Sequence, residues 1–307
     1  MLIDFSEINT IQKQNWLNGA VVPRPIGLIS TIDRDGLPNL APFSFFNVVS
    51  TEPPVLIFSP LRRVRNNTTK HTIENIREVP EAVIHIVSYS MLHQMNLTAC
   101  EYPETVDEFV KAGFTKQKAE NVRPWLIQEC PIKFECKVKE MRPLGNKGGS
   151  GAIIFAEVIY MHVDAMVLDE QNNIDPGKLR PVARLGGDYY ISVNKSNLFK
   201  ISKPNNHLGI GFDGLPGHVL SSTVLTANDL GLLAMVNSLP LIDESFNHIA
   251  MQYLLEQQVC EKRTDELHGI AAKMLNIGMV EEAWQVLLRV EMVILSTDDM
   301  VLTDRMD

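Results

Sequence analysis

The sequence has few cysteines, no long apolar run and no glycine-rich nucleotide fingerprint, and each absence excludes a class of protein. Its four cysteines lack metal-like pair spacing, and a 307-residue chain rarely depends on a disulfide framework, so we expect reduced, mostly buried thiols and no metal site. No segment approaches roughly 18 consecutive apolar residues, so we predict no membrane span. The opening MLIDFSEINT lacks the charged and apolar regions of a signal peptide, which favours a cytoplasmic location.

The chain also lacks an excess of positive charge. It carries 28 Lys and Arg against 37 Asp and Glu, a net charge of -9. General nucleic-acid binding needs a basic face, so we expect no nucleic-acid partner. The length exceeds what a single core usually organises, and residues 202–206 (SKPNN) have the composition of a linker. We therefore predict one domain over residues 1–203 and a second over residues 204–307.

Residues 24–59 are the most informative stretch, because strand-like runs alternate there with turn residues. We predict strands at residues 26–32, 39–46 and 54–59, with a hairpin turn at residues 33–36 (DRDG). Pro42 lies inside the returning strand, and a proline that cannot donate to a ladder indicates an edge strand or a bulge. Such an edge, rich in Phe, Ser and Asn, can offer N–H groups to a flat aromatic ligand. A plain hairpin with an aromatic core face is the alternative.

Positive charge is concentrated in residues 60–72 (PLRRVRNNTTKHT), directly before a helical pattern at residues 73–79. A helix N-terminus offers unpaired N–H groups and a dipole that favours an anion. In a mostly acidic protein this local charge predicts an anionic partner. With no P-loop or dinucleotide fingerprint, the segment predicts a phosphate held by side chains and a helix end, as suits a mononucleotide. A solvated basic loop is the alternative.

The rest of the sequence predicts mainly strands in the first two-thirds of the chain and helices in the last hundred residues or so. Further strands are predicted at residues 82–88, 132–141, 150–164 and 188–193, with short helices between residues 91 and 112. His85, inside one strand, is interpreted as a satisfied core or surface residue and not as a catalyst. Helices are predicted at residues 230–238, 245–261, 265–275 and 280–290. The histidines at positions 207, 218, 248 and 268 place no pair on one helical face, so we expect no ligand cluster there.

An ordered set of short motifs resembles one protein family over roughly residues 10–200. The motifs are Arg24-Pro25-Ile26-Gly27, Ser30-Thr31, Gly36-x-x-Asn39-x-Ala41-Pro42-x-Ser44-x-x-Asn47, Pro53-Pro54, Lys70-His71-Thr72-x-x-Asn75-Ile76, Asn96-x-Thr98, Tyr102-Pro103, Asp107-Glu108-Phe109, Ala112-Gly113, Glu135-Cys136, Glu157-Val158 and Pro181-x-x-Arg184-Leu185-Gly186-Gly187-x-Tyr189-Tyr190. In this order they resemble the flavin reductase-like, FMN-binding split-barrel proteins, the flavoredoxin group. One departure is His71, where family members often have Asp, and it adds a titratable group beside the expected phosphate.

The resemblance implies a fold and an activity. The fold would be mainly β: a six-stranded Greek-key split barrel with short helices over residues 1–203, followed by an α-helical C-terminal extension over residues 204–307. The protein would be a homodimer with FMN at the subunit interface and NADH or NADPH as co-substrate. We therefore expect an NAD(P)H-dependent flavin oxidoreductase, whose flavin stays bound or is released to an electron-accepting partner protein. An FMN-containing electron carrier reduced by a partner, and a non-catalytic binding module, are the alternatives.

The resemblance also implies site residues. Contacts along the isoalloxazine edge would come from Pro42, Phe43, Ser44, Phe45 and Asn47. The phosphate would be surrounded by Ser59, Arg62, Lys70, His71 and Thr72, with Arg24 as a weaker candidate. Ribityl or ring contacts would come from Asn96 and Thr98. Arg184 and Tyr189 would reach the flavin from the barrel or from the partner subunit; alternatively, Arg184 pairs with a carboxylate and Tyr189 fills an interface.

Overall fold

The chain forms two compact units, Met1–Phe199 and Lys200–Asp307. The computed structural model describes residues 1–201, 203–204, 208–248 and 261–290. Among these residues no helix is both long and apolar enough to cross a bilayer. The sequence-based prediction placed the domain boundary at residue 203.

A seven-stranded antiparallel sheet organises the described part of the first unit, in the order β3-β2-β6-β9-β10-β5-β4. Its strands are β2 (Gly27–Ile32), β3 (Pro38–Phe43), β4 (Phe46–Thr51), β5 (Pro54–Phe58), β6 (Glu81–Ile86), β9 (Ile132–Pro143) and β10 (Ala152–Val163). Two small sheets accompany it, formed by β1 (Arg24–Pro25), β11 (Val182–Arg184) and β12 (Tyr190–Ser192), and by β7 (Lys116–Gln117) and β8 (Leu126–Ile127). The helices of this unit are α1 (Thr10–Ala20), α2 (His71–Glu78), α3 (Leu92–Leu97), α4 (Glu108–Ala112) and α5 (Pro176–Leu179).

The expectation of a six-stranded barrel is wrong in its strand count. In the described residues the main sheet has seven strands, and its hydrogen-bonded order does not close, because β3 and β4 are its two edges. The extra strand arises where residues 39–46 were predicted as one strand. The chain instead bends at Ser44 and Phe45, and β4 begins at Phe46. The bend is held from the residue that follows β5, since Ser59 N donates to Phe45 O at 2.8 Å.

Pro42 lies on an edge strand, as the sequence predicted, and without a bulge. The register of β2 and β3 is continuous over all six pairs. Leu40 N faces away from β2 and donates to Glu108 Oε2 at 3.1 Å. Because backbone groups alternate along a strand, Pro38 and Pro42 face the same outer side as Leu40. The missing proline N–H groups therefore cost the sheet no ladder bond.

The β2–β3 turn forms as its sequence predicted. Gly36 has φ +95°, a left-handed conformation that glycine adopts without strain. Asp33 Oδ1 accepts from Asp35 N at 2.9 Å and from Leu37 N at 2.8 Å. The aspartate thus holds the turn from its first position.

Strand β2 is buried at every residue, and its side chains enter two apolar clusters in turn. Leu28 packs in a cluster with Phe109, whereas Ile29 packs in another with Phe58. Successive strand side chains point to opposite faces of a sheet, so β2 is covered on both faces. This explains why its sequence, GLISTI, is apolar or small at every position.

His85 is a satisfied core histidine. It is fully buried on β6, with Nδ1 2.8 Å from Leu28 O, and its Nε2 accepts from Ile127 N at 2.9 Å. Because one partner only accepts and the other only donates, the ring is neutral with its proton on Nδ1. Burial lowers the pKa of His85 to about 3, which agrees with this assignment. The ring therefore joins β2 to the short strand β8.

In the second unit, the described helices are α6 (Gly217–Leu220), α7 (Ala227–Leu233), α8 (Glu261–Asn276) and the helical residues 280–290. They share an apolar cluster around the fully buried Trp284. Thr226 and Asp229 form a capping box at the start of α7, which runs from Ala227 to Leu233 instead of over the predicted residues 230–238. The helix predicted over residues 245–261 falls mostly outside the described residues.

Two histidines meet in this unit from different helices. His218 Nδ1 lies 3.2 Å from His268 Nε2, the ring centroids are 5.4 Å apart, and His268 Nδ1 is 2.8 Å from Ser222 Oγ. Burial and the neighbouring His218 lower the pKa of His268 to about 4. The two histidines are 50 positions apart and on different helices, so no pattern within one helical face reveals this contact.

His85→Phe tests the role of the buried imidazole. The ring volume is kept, but Leu28 O and Ile127 N both lose a buried partner, at about 1 to 3 kcal/mol each. We expect the free energy of local unfolding of β2 and β6, measured by amide hydrogen exchange, to fall by about 2 to 6 kcal/mol. The exposed His93→Phe is the control, and equal protection in the two variants would contradict this role.

Candidate functional site

One cleft of about 360 Å³ collects most of the polar residues that the sequence singled out. It lies within the first unit, between the edge strand β3, the start of α2, one side of α1 and the loop that follows β11. The residues that line it are Gln14, Asn18, Arg24, Asn39, Ala41, Pro42, Phe43, Ser44, Phe45, Ser59, Leu61, Arg63, Lys70, His71, Thr72, Thr98, Ala99, Cys100, Glu101, Tyr102, Glu108, Arg184, Leu185 and Gly187.

The cationic end of the cleft is built around Lys70. This residue is the N-cap of α2, and no side chain caps that helix end. Lys70 is half-buried, and burial together with the charge of Arg63 lowers the pKa of its ammonium group. In the described part of the chain no carboxylate lies within ion-pair distance of Lys70 Nζ. A half-buried cation beside an uncapped helix N-terminus favours an anionic ligand.

Arg63 faces the cleft, whereas its neighbour Arg62 does not. Arg62 folds back on its own loop, with Nε donating to Asn67 Oδ1 at 2.7 Å. Arg63 Nη1 donates to Thr68 Oγ1 at 3.0 Å, and its Nε lies 3.4 Å from Glu101 Oε1. These bonds hold the basic loop before α2 (residues 60–70) in place and direct the Arg63 charge towards Lys70.

His71 also lines the cleft, as the first residue of α2. Burial, followed by the charge of Arg63, lowers the pKa of its imidazole, and Lys70 acts in the same direction. Glu104 and Glu74 oppose this shift. The imidazole is therefore less readily protonated in the ligand-free protein than a free histidine side chain.

A buried polar network fixes the first turn of α2 against the sheet. Asn39 Nδ2 donates to Thr72 Oγ1 at 3.0 Å, and Asn75 Nδ2 donates to Thr31 Oγ1 at 3.2 Å. All four residues are buried, so these bonds are shielded from water. Thr72 is thus held beneath the cleft by β2 and β3.

Ser59 lies where β5 ends, beside the hairpin tip that joins β9 to β10. A side chain at Gly151 would collide with the Ser59 hydroxyl, so glycine allows the tip to approach this closely. The backbone continues the contact, since Arg62 N donates to Ser150 O and Gly149 N donates to Arg62 O, both at 2.9 Å. The tip therefore supports the start of the basic loop.

Arg24 and Arg184 stand side by side, because they are register partners on β1 and β11. Arg24 is buried, and its guanidinium donates to the carbonyl oxygens of Asn18, Val21 and Leu185. Its pKa is lowered by burial and by the charge of Arg184. Arg24 therefore holds the loops around the cleft together.

Arg184 has no ion-pair partner among the described carboxylates. Its Nη1 lies 3.3 Å from Tyr190 Oη, and the guanidinium packs 5.3 Å from the centroid of that ring. The described contacts therefore give no support to the alternative in which Arg184 pairs with a carboxylate. Its charge remains available at the cleft wall.

The structure brings together eleven of the fifteen predicted residues. Four do not line the cleft: Asn47, Arg62, Asn96 and Tyr189. Asn47 and Asn96 are exposed, and Tyr189 is 75% exposed. A contact from Tyr189 to a ligand in this cleft would have to come from a second copy of the chain.

Sequence reasoning missed several lining residues, above all Arg63, Glu108 and the pair Gln14 and Asn18. Glu108 appears in the sequence only as part of the Asp107-Glu108-Phe109 motif; in the structure it begins α4, it is buried, and burial raises the pKa of its carboxyl group. No local pattern predicts its contact with Leu40, which is 68 positions away. The spacing of Gln14 and Asn18 is that of one helical face, which was a signal the sequence offered.

No group of three or more metal-ligating side chains occurs in the part of the chain that the structure describes. The cleft instead combines four cations, Arg24, Arg63, Lys70 and Arg184, with two carboxylates, Glu101 and Glu108. The arrangement suits an anionic organic ligand whose charge lies towards Lys70.

Comparison with known proteins assigns the family. A family model described as the flavin reductase like domain matches residues 19–182. An uncharacterized protein from Aquifex aeolicus is 43% identical over 175 residues, which are 57% of this chain and 87% of that protein. Nitrilotriacetate monooxygenase component B from Bacillus cereus is 27% identical with a TM-score of 0.61, covering 66% of this chain and 98% of its own.

A protein with a split barrel domain from Shewanella frigidimarina is similar in fold, with a TM-score of 0.56 and 24% identity, covering 64% of this chain and 95% of its own. The match to the family model spans β1 to the start of β11, and so contains the edge strand, the basic loop and α2. The chain belongs to the flavin reductase like domain family.

Proposed function

We propose that the protein is a flavin-dependent reductase that holds FMN in the cleft and passes hydride from NADH or NADPH to the flavin. The observation that carries this proposal is Lys70, a half-buried cation that has no ion-pair partner among the described carboxylates and lies at the uncapped N-terminus of α2. Family membership supports the flavin, and a cleft of about 360 Å³ is within the usual range for a small-molecule site.

The residues present fit a phosphate monoester at the Lys70 end. A dianion there would relieve the repulsion between Lys70 and Arg63 and pair with the helix N–H groups. Charge-assisted hydrogen bonds contribute about 1.5 to 3 kcal/mol each, so several suffice for a ligand without covalent attachment. Riboflavin, which lacks the phosphate, would forgo this contribution.

The other wall of the cleft fits the flavin ring. Residues 41–45 carry the edge of β3 into the bend before β4, and Phe43 packs against Phe58 with centroids 5.7 Å apart. Ser44 Oγ is 3.5 Å from Arg24 Nε, which ties the bend to the β1 side of the cleft. When bound, the flavin supplies the hydride-accepting chemistry, and these residues orient its ring.

We include a homodimer in the proposal. Helix α1 buries none of its residues, and its apolar side chains Ile11, Trp16 and Leu17 are 59%, 45% and 50% exposed. The same helix lines the cleft through Gln14 and Asn18, so a second copy covering α1 would lie next to the ligand.

Light scattering should give twice the 34.5 kDa chain mass, and a monomeric mass would contradict the proposed homodimer.

The Bacillus cereus protein is, by its description, one component of a monooxygenase. This supports a role in which reduced flavin, or its electrons, pass to a second protein. An FMN-containing electron carrier, reduced by a partner rather than by a nicotinamide, is the second candidate.

Lys70→Ala tests the phosphate assignment, with Arg62→Ala as a matched control from the same loop. Loss of one charge-assisted contact should weaken FMN binding roughly ten- to a hundredfold and leave riboflavin binding almost unchanged. Arg62→Ala should weaken FMN binding much less, because Arg62 bonds to Asn67 outside the cleft. Flavin fluorescence titration measures both ligands. An equal loss of riboflavin and FMN affinity in Lys70→Ala would refute the assignment.

His71 predicts a pH dependence of FMN binding. In the ligand-free protein its pKa lies below the usual value, and a nearby phosphate dianion would raise it. Protons are then taken up on binding, so affinity should strengthen as pH falls through the histidine range. The phosphate itself gains a proton near pH ~6, so the comparison is between wild type and His71→Asn over about pH 5.5 to 8. The ratio of their affinities should grow towards low pH; parallel curves would remove His71 from the site.

A further inference from the structure

A second cavity of about 250 Å³ opens beside the Lys70 end of the cleft. Five residues line both spaces: Gln14, Leu61, Arg63, Lys70 and Glu101. The second cavity adds Arg62, Val64 and Arg65. A ligand group in the second cavity would therefore be close to the phosphate that the proposed function places at Lys70.

The charge of this cavity is strongly positive. Four cations line it, Arg62, Arg63, Arg65 and Lys70, against the single carboxylate of Glu101. Arg62 is bonded to Asn67, and Lys70 is assigned to the first phosphate. Arg63, which also borders the first phosphate, and Arg65 share Glu101.

Glu101 bridges these two guanidinium groups with separate oxygens. Its Oε1 lies 3.4 Å from Arg63 Nε, and its Oε2 pairs with Arg65 Nη2. Two guanidinium groups converging on one oxyanion is the arrangement that proteins use to bind phosphate. Glu101 thus occupies the position that a phosphate group would take.

This internal pairing is weak enough to be exchanged. The side chains of Arg65 and Glu101 are 74% and 42% exposed, and an ion pair at such exposure contributes little to stability. The Arg63 side chain is 15% exposed, but its Nε lies 3.4 Å from the Glu101 carboxylate, which is a long contact. A phosphate monoester carries up to two charges and three acceptor oxygens, against one charge and two oxygens for the carboxylate. The phosphate can therefore displace Glu101 from both arginines.

We propose that Arg63 and Arg65 form a second phosphate site, which a phosphate group other than that of FMN enters by displacing Glu101. The site rests on the proposed function, since it adjoins the cleft in which FMN is placed. NADPH offers such a monoester through its 2'-phosphate, which NADH lacks. FAD is the weaker source through its second phosphate, which FMN lacks, because that phosphate is a diester with a single charge.

Arg65→Ala tests the site, with Arg34→Ala as the matched control. Arg34 is 71% exposed and pairs with Glu78 at 3.2 Å, so both variants lose one exposed arginine with one acidic partner. In FMN-loaded protein, Arg65→Ala should raise KM for NADPH roughly tenfold relative to NADH if the source is the co-substrate. In flavin-free protein, Arg65→Ala should weaken FAD binding roughly tenfold relative to FMN binding if the flavin is the ligand that supplies the phosphate. Either result supports the second phosphate site.

Glu101→Gln should change the binding of the phosphate-bearing ligand in the opposite direction. Because the competing carboxylate is removed, this variant should bind NADPH more tightly relative to NADH, or FAD more tightly relative to FMN. The proposal is wrong if Arg65→Ala and Glu101→Gln both give the same NADPH-to-NADH and FAD-to-FMN ratios as Arg34→Ala. This conclusion holds even where FMN binds as proposed. If the protein binds no flavin in any variant, the proposed function fails instead, and the two failures are distinguishable.

Discussion

The buried hydrogen bonds between α2 and the β2–β3 hairpin are the constraint on which the site depends. Asn39 reaches Thr72 across 33 positions of sequence, and Asn75 reaches Thr31 across 44. Buried amide and hydroxyl groups are costly to leave unpaired, so this network fixes the helix against the sheet in one orientation. Lys70, the uncapped helix end and His71 are all placed by that orientation. The cationic end of the cleft is therefore a consequence of the sheet packing.

The edge position of β3 is the second constraint, and it follows from proline. Pro38 and Pro42 face outward, where no strand could pair with them, and Glu108 takes up the one outward N–H between them at Leu40. The outer side of β3 is thus closed to a further strand and open to a ligand. The bend at Ser44 and Phe45 then carries this edge into the cleft wall. An edge strand and a helix N-terminus together form the wall and the anion site in which the proposed function places the flavin.

Local chemistry made much of this predictable from sequence. The Asp33 turn, the edge proline, the α2 start and the density of cations before it are all readable within a few residues. Which of the two arginines, Arg62 or Arg63, faces the cleft cannot be read from the sequence. Asn67 adopts a left-handed φ of +56° and draws Arg62 back onto the loop. Glu108 bonding to Leu40 and His268 meeting His218 are contacts across 68 and 50 positions, and only tertiary packing creates them. The separate strand β4 was missed because the bend before it carries neither glycine nor proline at Ser44 and Phe45.

The most direct test of the flavin reductase assignment is anaerobic addition of NADH and of NADPH to the FMN-loaded protein, followed by the visible absorption of the flavin. We expect at least one of the two nicotinamides to bleach the flavin band within the mixing time of a manual experiment, with no second protein present. Persistence of the oxidised spectrum with both, in a sample that dithionite bleaches at once, would contradict a nicotinamide-dependent reductase. It would favour an FMN-containing carrier that a partner protein reduces.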